Sequence, residues 1–202
     1  AYKKTTIVYS LQERALIPFQ LFKSNTCPRA VDLIFGDNEL PSEYLTDIVT
    51  ESGYYNCFRI RKETLEVINA QFPNARQWHQ YSGLLGSYSS KDTKMFVIFY
   101  SYKMVVSVFS EGKCLLINTY SFQNAQDVAY YLLVVKKMLD LNNIPLEVAG
   151  FIEQKSSLYQ ELYKYFVDIS FQPFPSQCDF SDEIRQFPEH YFSHLFRMDA
   201  CG

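Results

Sequence analysis

The residues with the clearest chemical spacing are His190 and His194, four apart near the end of the chain. On a single helix they would face the same way, as metal ligands do, with Cys178 and Cys201 on either side. The spacing matches no standard zinc module, and the neighbouring Glu189 offers an imidazole a carboxylate partner instead. A packed or capping histidine pair is therefore the expected role and a metal the competing one. Zinc retained at one equivalent after chelator washing would decide for the metal. Asp127, taken as a catalytic acid, has no partner within reach by sequence, whereas a carboxylate at a helix start accounts for it. Lys103 would suit a phosphate, but it also reads as an ordinary lysine in an exposed turn. The phosphate loop GxxxxGK followed by Ser or Thr, the dinucleotide fingerprint GxGxxG and the nucleophile elbow GxSxG are all absent.

The elements that must position these residues lie between Met95 and Phe171. Met95 to Tyr100 (MFVIFY), Met104 to Phe109 (MVVSVF) and Cys114 to Tyr120 (CLLINTY) are rich in β-branched and aromatic residues and read as three strands of a meander. Glu111 and Gly112 make the second turn, where glycine supplies a positive φ; Ser101 to Lys103 make the first without glycine. A two-residue loop at Glu111 and Gly112 pairs Ser110 with Lys113, Val108 with Leu115 and Val106 with Ile117 on one face. It places Phe109 with Cys114 and Ser107 with Leu116 on the other, so both faces need cover.

Asn124 and Asp127 open a helix over Ala125 to Leu141, which Asn142, Asn143 and Pro145 stop. Leu146 to Ala149 is a short buried strand. Ser156 or Ser157 caps a second helix through Phe166, and Val167 to Phe171 is the last strand. The order βββαβαβ is that of a ribonuclease H-like lobe. A nuclease on that lobe needs clustered carboxylates on its central strands, and Met95 to Tyr120 supplies only Glu111, in a turn.

The first half reads as the back portion of a second such lobe. Thr5 to Tyr9 is a strand, Leu16 to Lys23 a turn at Pro18 leading into a short helix, and Ala30 to Phe35 a strand. Asp37 to Ser52 reads as a loop, Tyr54 to Ile60 as a strand, Lys62 to Phe72 as a helix stopped by Pro73, and Trp78 to Leu85 as a helix. The lobes are expected to divide near Ser87 to Lys94. That gives a partial first lobe with its connector over 1–90, a second lobe over 91–175, and a tail with a short helix, Glu189 to Phe196, over 176–202.

Composition bounds the function. The chain has 202 residues, 48% hydrophobic and 20% charged, which suits a soluble α/β protein with one large core or two modest ones. Nineteen basic against 22 acidic residues, a net charge of −3, argues against a dedicated nucleic-acid surface. Aromatics reach 17%, nearly all tyrosine or phenylalanine, which fits a tyrosine-rich core better than an interaction surface. Five scattered cysteines, with no CxxC pair, predict reduced thiols and a cytoplasmic location. The longest apolar run falls short of the roughly 20 residues that span a bilayer. The chain opens at Ala1, almost directly into a strand, so a segment upstream is expected.

The run INTYSFQNAQDVAYYLL (Ile117 to Leu133), the later VAGFIEQKSSLYQELYKYFVDISF and HYFSHLF, and the early IVYSLQERALIPFQLF together resemble the bacterial family called domain of unknown function 3822. The pattern around Asn118, Thr119, Phe122, Asp127, Tyr130 and Tyr131 carries that resemblance. It implies the actin-like ATPase fold: two ribonuclease H-like lobes facing a cleft, the first here without its N-terminal strands. In actin-like ATPases the first hairpin of each lobe carries an Asp and glycines, because backbone amides must approach the phosphates and a carboxylate must order the metal. The second-lobe hairpin here is Tyr100, Ser101, Tyr102, Lys103, with neither. The Gly-Gly turn that usually meets the adenosine is Gly150 followed by Phe151.

The expected protein is therefore non-catalytic and without a cofactor, binding a protein partner or a small ligand between its lobes near Ser101, Lys103, Gly150 and Phe151. The alternative is an ATPase or sugar-kinase-like enzyme that binds ATP with Mg²⁺ through a phosphate loop upstream of Ala1. A third class, a structural subunit, would show itself by self-association through an aromatic surface.

Overall fold

The computed structural model describes residues 4–87, 92–176 and 180–200. The chain divides between Gly86 and Ser87 into two compact units. No helix among the described residues is long and apolar enough to cross a membrane.

In the first unit β1 (Thr6–Tyr9) lies parallel to β5 (Arg76–His79), with Thr6 opposite Arg76 and Tyr9 opposite His79. A separate antiparallel sheet has the order β2-β4-β3, from β2 (Arg14–Pro18), β3 (Ser42–Val49) and β4 (Tyr54–Arg61). Strand β2 ends at Pro18, and a single 3-10 turn, Phe19–Leu21, follows as the short helix expected there.

Three expectations for this unit are corrected. Ala30 to Phe35 is not a strand but the second half of a helix, α1 (Thr26–Phe35). Pro28 sits in its first turn, where no intrahelical donor is required, and Cys27 and Val31, four apart, are the residues it buries. Gly36, at φ +78°, ends it and donates to the Asp32 carbonyl at 2.8 Å. Asp37 to Ser52 is not all loop, because β3 runs through it. That strand flanks the sheet with Glu43, Thr46 and Ile48 exposed, and pairing with β4 from Ser42 opposite Arg61 to Val49 opposite Tyr54 fixes it. Trp78 belongs to β5 rather than to the helix that follows, α3 (Gln80–Ser87). Helix α2 (Lys62–Gln71) lies where expected.

The second unit is a five-stranded sheet in the order β10-β9-β6-β7-β8. Its strands are β6 (Lys94–Phe99), β7 (Lys103–Ser110), β8 (Lys113–Ser121), β9 (Leu146–Gly150) and β10 (Ile169–Phe171). Strands β6, β7 and β8 form the expected meander, and β9 and β10 run parallel to β6. Helices α4 (Ala125–Met138) and α5 (Ser157–Tyr163) pack on one face. There Val97, Met104, Val106, Val148, Leu132 and Leu162 close a continuous apolar core. Each such side chain removed from water contributes about 1.5–3 kcal/mol. The opposite face, with Phe96, Ile98, Val105 and Phe109, is buried as well.

The expected register of β7 against β8 holds only at the turn. Glu111 and Gly112 both take positive φ, 51° and 75°, and Ser110 faces Lys113 and Phe109 faces Cys114. A β-bulge at Leu115 then shifts the pairing, so that Val108 faces Leu116, Ser107 faces Ile117 and Val106 faces Asn118. Leu115 is left exposed, and Leu116 and Tyr120 reach the α4 face instead.

After β10 come a four-residue helix, α6 (Asp182–Arg185), a 3-10 turn, Glu189–Tyr191, and α7 (Ser193–Ala200). The expected single helix from Glu189 to Phe196 is therefore split at Phe192, whose φ of −120° leaves the helical range. His190 and His194 consequently stand on different elements.

Candidate functional site

Parallel pairing sets Phe99 opposite Gly150, which brings the β6–β7 hairpin and the turn after β9 together at one end of the second unit's sheet. In open α/β sheets this carboxyl end of the parallel strands is where ligands bind. Four of the residues singled out from the sequence, Ser101, Lys103, Gly150 and Phe151, meet there.

The hairpin is as tight as a β-turn permits. Tyr100 N–H donates to the Lys103 carbonyl at 2.8 Å, leaving only Ser101 and Tyr102 in the loop. The Tyr102 carbonyl accepts from Phe122 N–H at 3.1 Å, while the Tyr102 side chain is 80% exposed. Lys103 lays its ammonium 5.5 Å from the centre of the Tyr100 ring. The opposite edge of this arrangement is His194, whose ring meets Tyr100 edge-on at 5.6 Å.

Gly150 is glycine for a backbone reason. Its φ is +80°, and a Cβ built on it would lie 2.1 Å from the Phe99 carbonyl oxygen. Phe151 N–H donates to that same oxygen at 2.9 Å, and Ile152 N–H turns back to the Gly150 carbonyl at 2.9 Å. The chain is thus bent sharply, and the Phe151 ring points outward, 57% exposed, edge-on to Tyr191 at 6.1 Å.

The histidines hold the C-terminal stretch to this end of the sheet. His190 Nε2–H donates to the Ile152 carbonyl at 2.6 Å and its ring packs on Phe171 at 4.4 Å. Burial lowers its pKa, against the pull of the Ile152 carbonyl and of Glu153. His194 is buried with no hydrogen bond to Nδ1, and desolvation lowers its pKa to about 4, so it is neutral at pH 7. Ser193, fully buried, donates to Gln172 Oε1 at 2.9 Å, and Gln172 donates to Glu147 at 3.0 Å. Cys178 and Cys201 lie outside the described residues. Among the described residues no group of three or more histidine, cysteine or carboxylate side chains is placed to hold a metal.

The remaining pattern residues lie along β8 and α4. Asn118 and Thr119 sit opposite Val106 and Val105. Phe122 packs on the core, edge-on to Phe99 at 6.3 Å. Asp127 closes a capping box: its N–H donates to Asn124 Oδ1 at 2.9 Å and its carboxylate accepts from Asn124 N–H at 3.3 Å and Gln123 N–H at 2.9 Å. The carboxylate is spent on the helix start. Tyr131 stacks on Tyr120 at 4.9 Å, and Tyr130, largely exposed, meets Tyr131 at 5.5 Å.

A polar cluster in the first unit escaped sequence reasoning. Asp47 Oδ2 accepts from His79 N–H at 2.7 Å and from Ser82 Oγ at 2.5 Å, and Ser82 accepts from Asn56 Nδ2 at 2.9 Å. Burial raises the Asp47 pKa against those hydrogen bonds. Tyr81 N–H donates to His79 Nδ1 at 3.1 Å, so the ring proton sits on Nε2, which donates to the Leu11 carbonyl at 2.9 Å. With both ring nitrogens committed, His79 is a structural joint rather than a base. The only sequence signal was the tight spacing of His79, Gln80 and Ser82.

The family described as Protein of unknown function (DUF3822) matches residues 1–169. A Bacteroides thetaiotaomicron protein with actin-like ATPase fold and unknown function is similar at a TM-score of 0.75 and 24% identity, over 85% of this chain and 69% of that one. The PilM-PilN type IV pilus biogenesis complex is similar at a TM-score of 0.55 and 9% identity, over 93% of this chain and 75% of that one. No curated protein matches. At these identities the likeness is one of fold, and the fold is the actin-like ATPase fold.

Proposed function

This chain belongs to the DUF3822 family, and from that footing we propose that it is a non-catalytic member of the actin-like fold that binds a protein partner at the carboxyl end of the second unit's sheet. The observation that carries this reading is the closure of the hairpin. With Tyr100 N–H bonded to the Lys103 carbonyl, two residues remain between the strands, and neither is an Asp or a Gly. A loop of that size cannot wrap its amides around a polyphosphate. The Gly150 turn supports the same reading, since its glycine answers to the Phe99 carbonyl, and the next residue sets a phenyl ring outward.

Aromatic residues are enriched at protein interfaces, where a rigid ring buries much area at small entropic cost. Tyr102 and Phe151 present two such rings at this end of the sheet. PilM, which shares the fold, occurs in a complex with PilN, so partner binding is compatible with the architecture.

The test is affinity capture from the native host with wild-type protein and with Tyr102→Ser/Phe151→Ser, both first shown to have the same circular dichroism and melting temperature. A stoichiometric partner retained by wild type and lost from the double variant is the expected result. A partner set indifferent to both rings would contradict the assignment of this surface.

A further inference from the structure

Cys27 lies in the first turn of α1 and Cys57 in the middle of β4, both buried in one small core with Ala15, Ile17 and Val31. Their sulfurs are held against the same stretch of β3. Cys27 Sγ–H donates to the Leu45 carbonyl at 3.6 Å, Cys57 Sγ meets Thr46 Oγ1 at 3.8 Å, and Thr46 is the register partner of Cys57. We propose that Cys27 and Cys57 form a peroxide-oxidisable dithiol that closes to a disulfide joining α1 to β4.

The two thiols have different parts. The neighbouring Cys57 sulfur lowers the Cys27 pKa against the effect of burial. The neighbouring Cys27 sulfur and burial push the Cys57 thiol up. Cys27, in the first turn of a helix and less deeply buried than Cys57 (5% against 0%), is the attacking sulfur and Cys57 the resolving one. Burial leaves Cys27 little exposed, so only a small oxidant suits it.

The chemistry balances with hydrogen peroxide as the oxidant. The Cys27 thiolate attacks one peroxide oxygen, the O–O bond breaks, and the departing hydroxide takes a proton to become water, leaving a sulfenic acid on Cys27. The Cys57 sulfur then attacks Cys27 Sγ, forming the S–S bond as the S–O bond breaks, and the hydroxyl leaves as water with the Cys57 thiol proton. Both sulfurs are oxidised, and peroxide is reduced to two waters. Cys114, half-buried on β8 with its thiol pushed up to about 11 by burial, is not a competitor.

The test treats reduced full-length protein with hydrogen peroxide, blocks remaining thiols by alkylation and maps tryptic peptides by mass spectrometry. The expected product is a disulfide linking the peptides Ser24 to Arg29 and Ala30 to Arg59, with the intact mass lower by two hydrogens and the original mass restored by dithiothreitol. Its rate should rise with pH as the Cys27 thiol ionises. Cys27→Ser should abolish the link and Cys114→Ser should leave it. Cys57→Ser, which keeps a polar neighbour for Cys27 but cannot resolve, should trap a sulfenic acid on Cys27, which a dimedone label reads even if Cys27→Ser does not fold. Peroxide consumed without this link, a link to a different cysteine, or an unlabelled Cys27 in Cys57→Ser would each overturn the proposal.

Discussion

The two units solve the same problem with different materials. The second buries a nearly unbroken apolar layer between its sheet and α4 and α5. The first divides its apolar residues between small clusters and threads buried polar groups between them. Asn56 and His79 are wholly buried, and Arg59 is paired with Glu13 at 2.6 Å and Asp32 at 2.9 Å. Apolar area is non-directional and tolerant, whereas a buried hydrogen-bond network holds only while every member is satisfied. The second unit should therefore yield to steric insult, and the first to changes of charge and hydrogen bonding.

Two glycines put the largest effect on that contrast. Both take positive φ, but a Cβ at Gly36 of the first unit meets nothing within 4 Å, whereas at Gly150 it meets a backbone oxygen. Gly150→Ala is expected to cost roughly 4 kcal/mol or more, against about 1–2 kcal/mol for Gly36→Ala, by urea denaturation. Equal losses would show that strain, not packing against β6, sets the cost at Gly150.

Acid provides the next contrast, with opposite signs in the two units. His194 has a folded pKa of about 4 against an ordinary value of 6.5, so the unfolded state binds its proton more readily. Stability should fall as pH drops from 6.5 towards 4, by on the order of 3 kcal/mol, and His194→Phe should flatten that slope. Asp47 runs the other way. Its folded pKa lies above the ordinary 3.8, so the stability it contributes is present below that value and lost as pH rises through the folded pKa. Asp47→Asn should remove this component while keeping an acceptor for His79 N–H. Between these in size, Asp127→Ala opens the capping box and should cost about 1 kcal/mol, with no effect on partner binding.

The same contrast explains what was legible in the sequence. Strands β6 to β9 and helix α4 announce themselves because their valines, isoleucines and aromatics are the core. The meeting of the Tyr100 hairpin with Gly150 was expected from the fold that the resemblance implies, and β9 lying parallel to β6 brings it about. What Gly150 does there was hidden, because its demanding neighbour is the carbonyl of Phe99, distant in sequence. The bulge at Leu115 was equally silent, being a shift of one residue between two apolar strands. In the first unit β3 read as a loop because Glu43, Thr46 and Asp47 belong to a flanking strand, and AVDLIF read as a strand although Pro28 stands in the first turn of α1. The Asp47, Asn56 and Ser82 cluster draws on three elements, so no local pattern encodes it.

The proposed closure of the second unit's sheet end to a polyphosphate rests on the two-residue hairpin. It is tested most directly by a thermal-shift titration of the full-length protein with ATP, ADP and GTP, with and without Mg²⁺. A ligand held by the native state alone raises the melting temperature by mass action. The melting temperature should be unchanged at millimolar nucleotide. A saturable, Mg²⁺-dependent rise would contradict it and return the chain to the nucleotide-binding members of its fold.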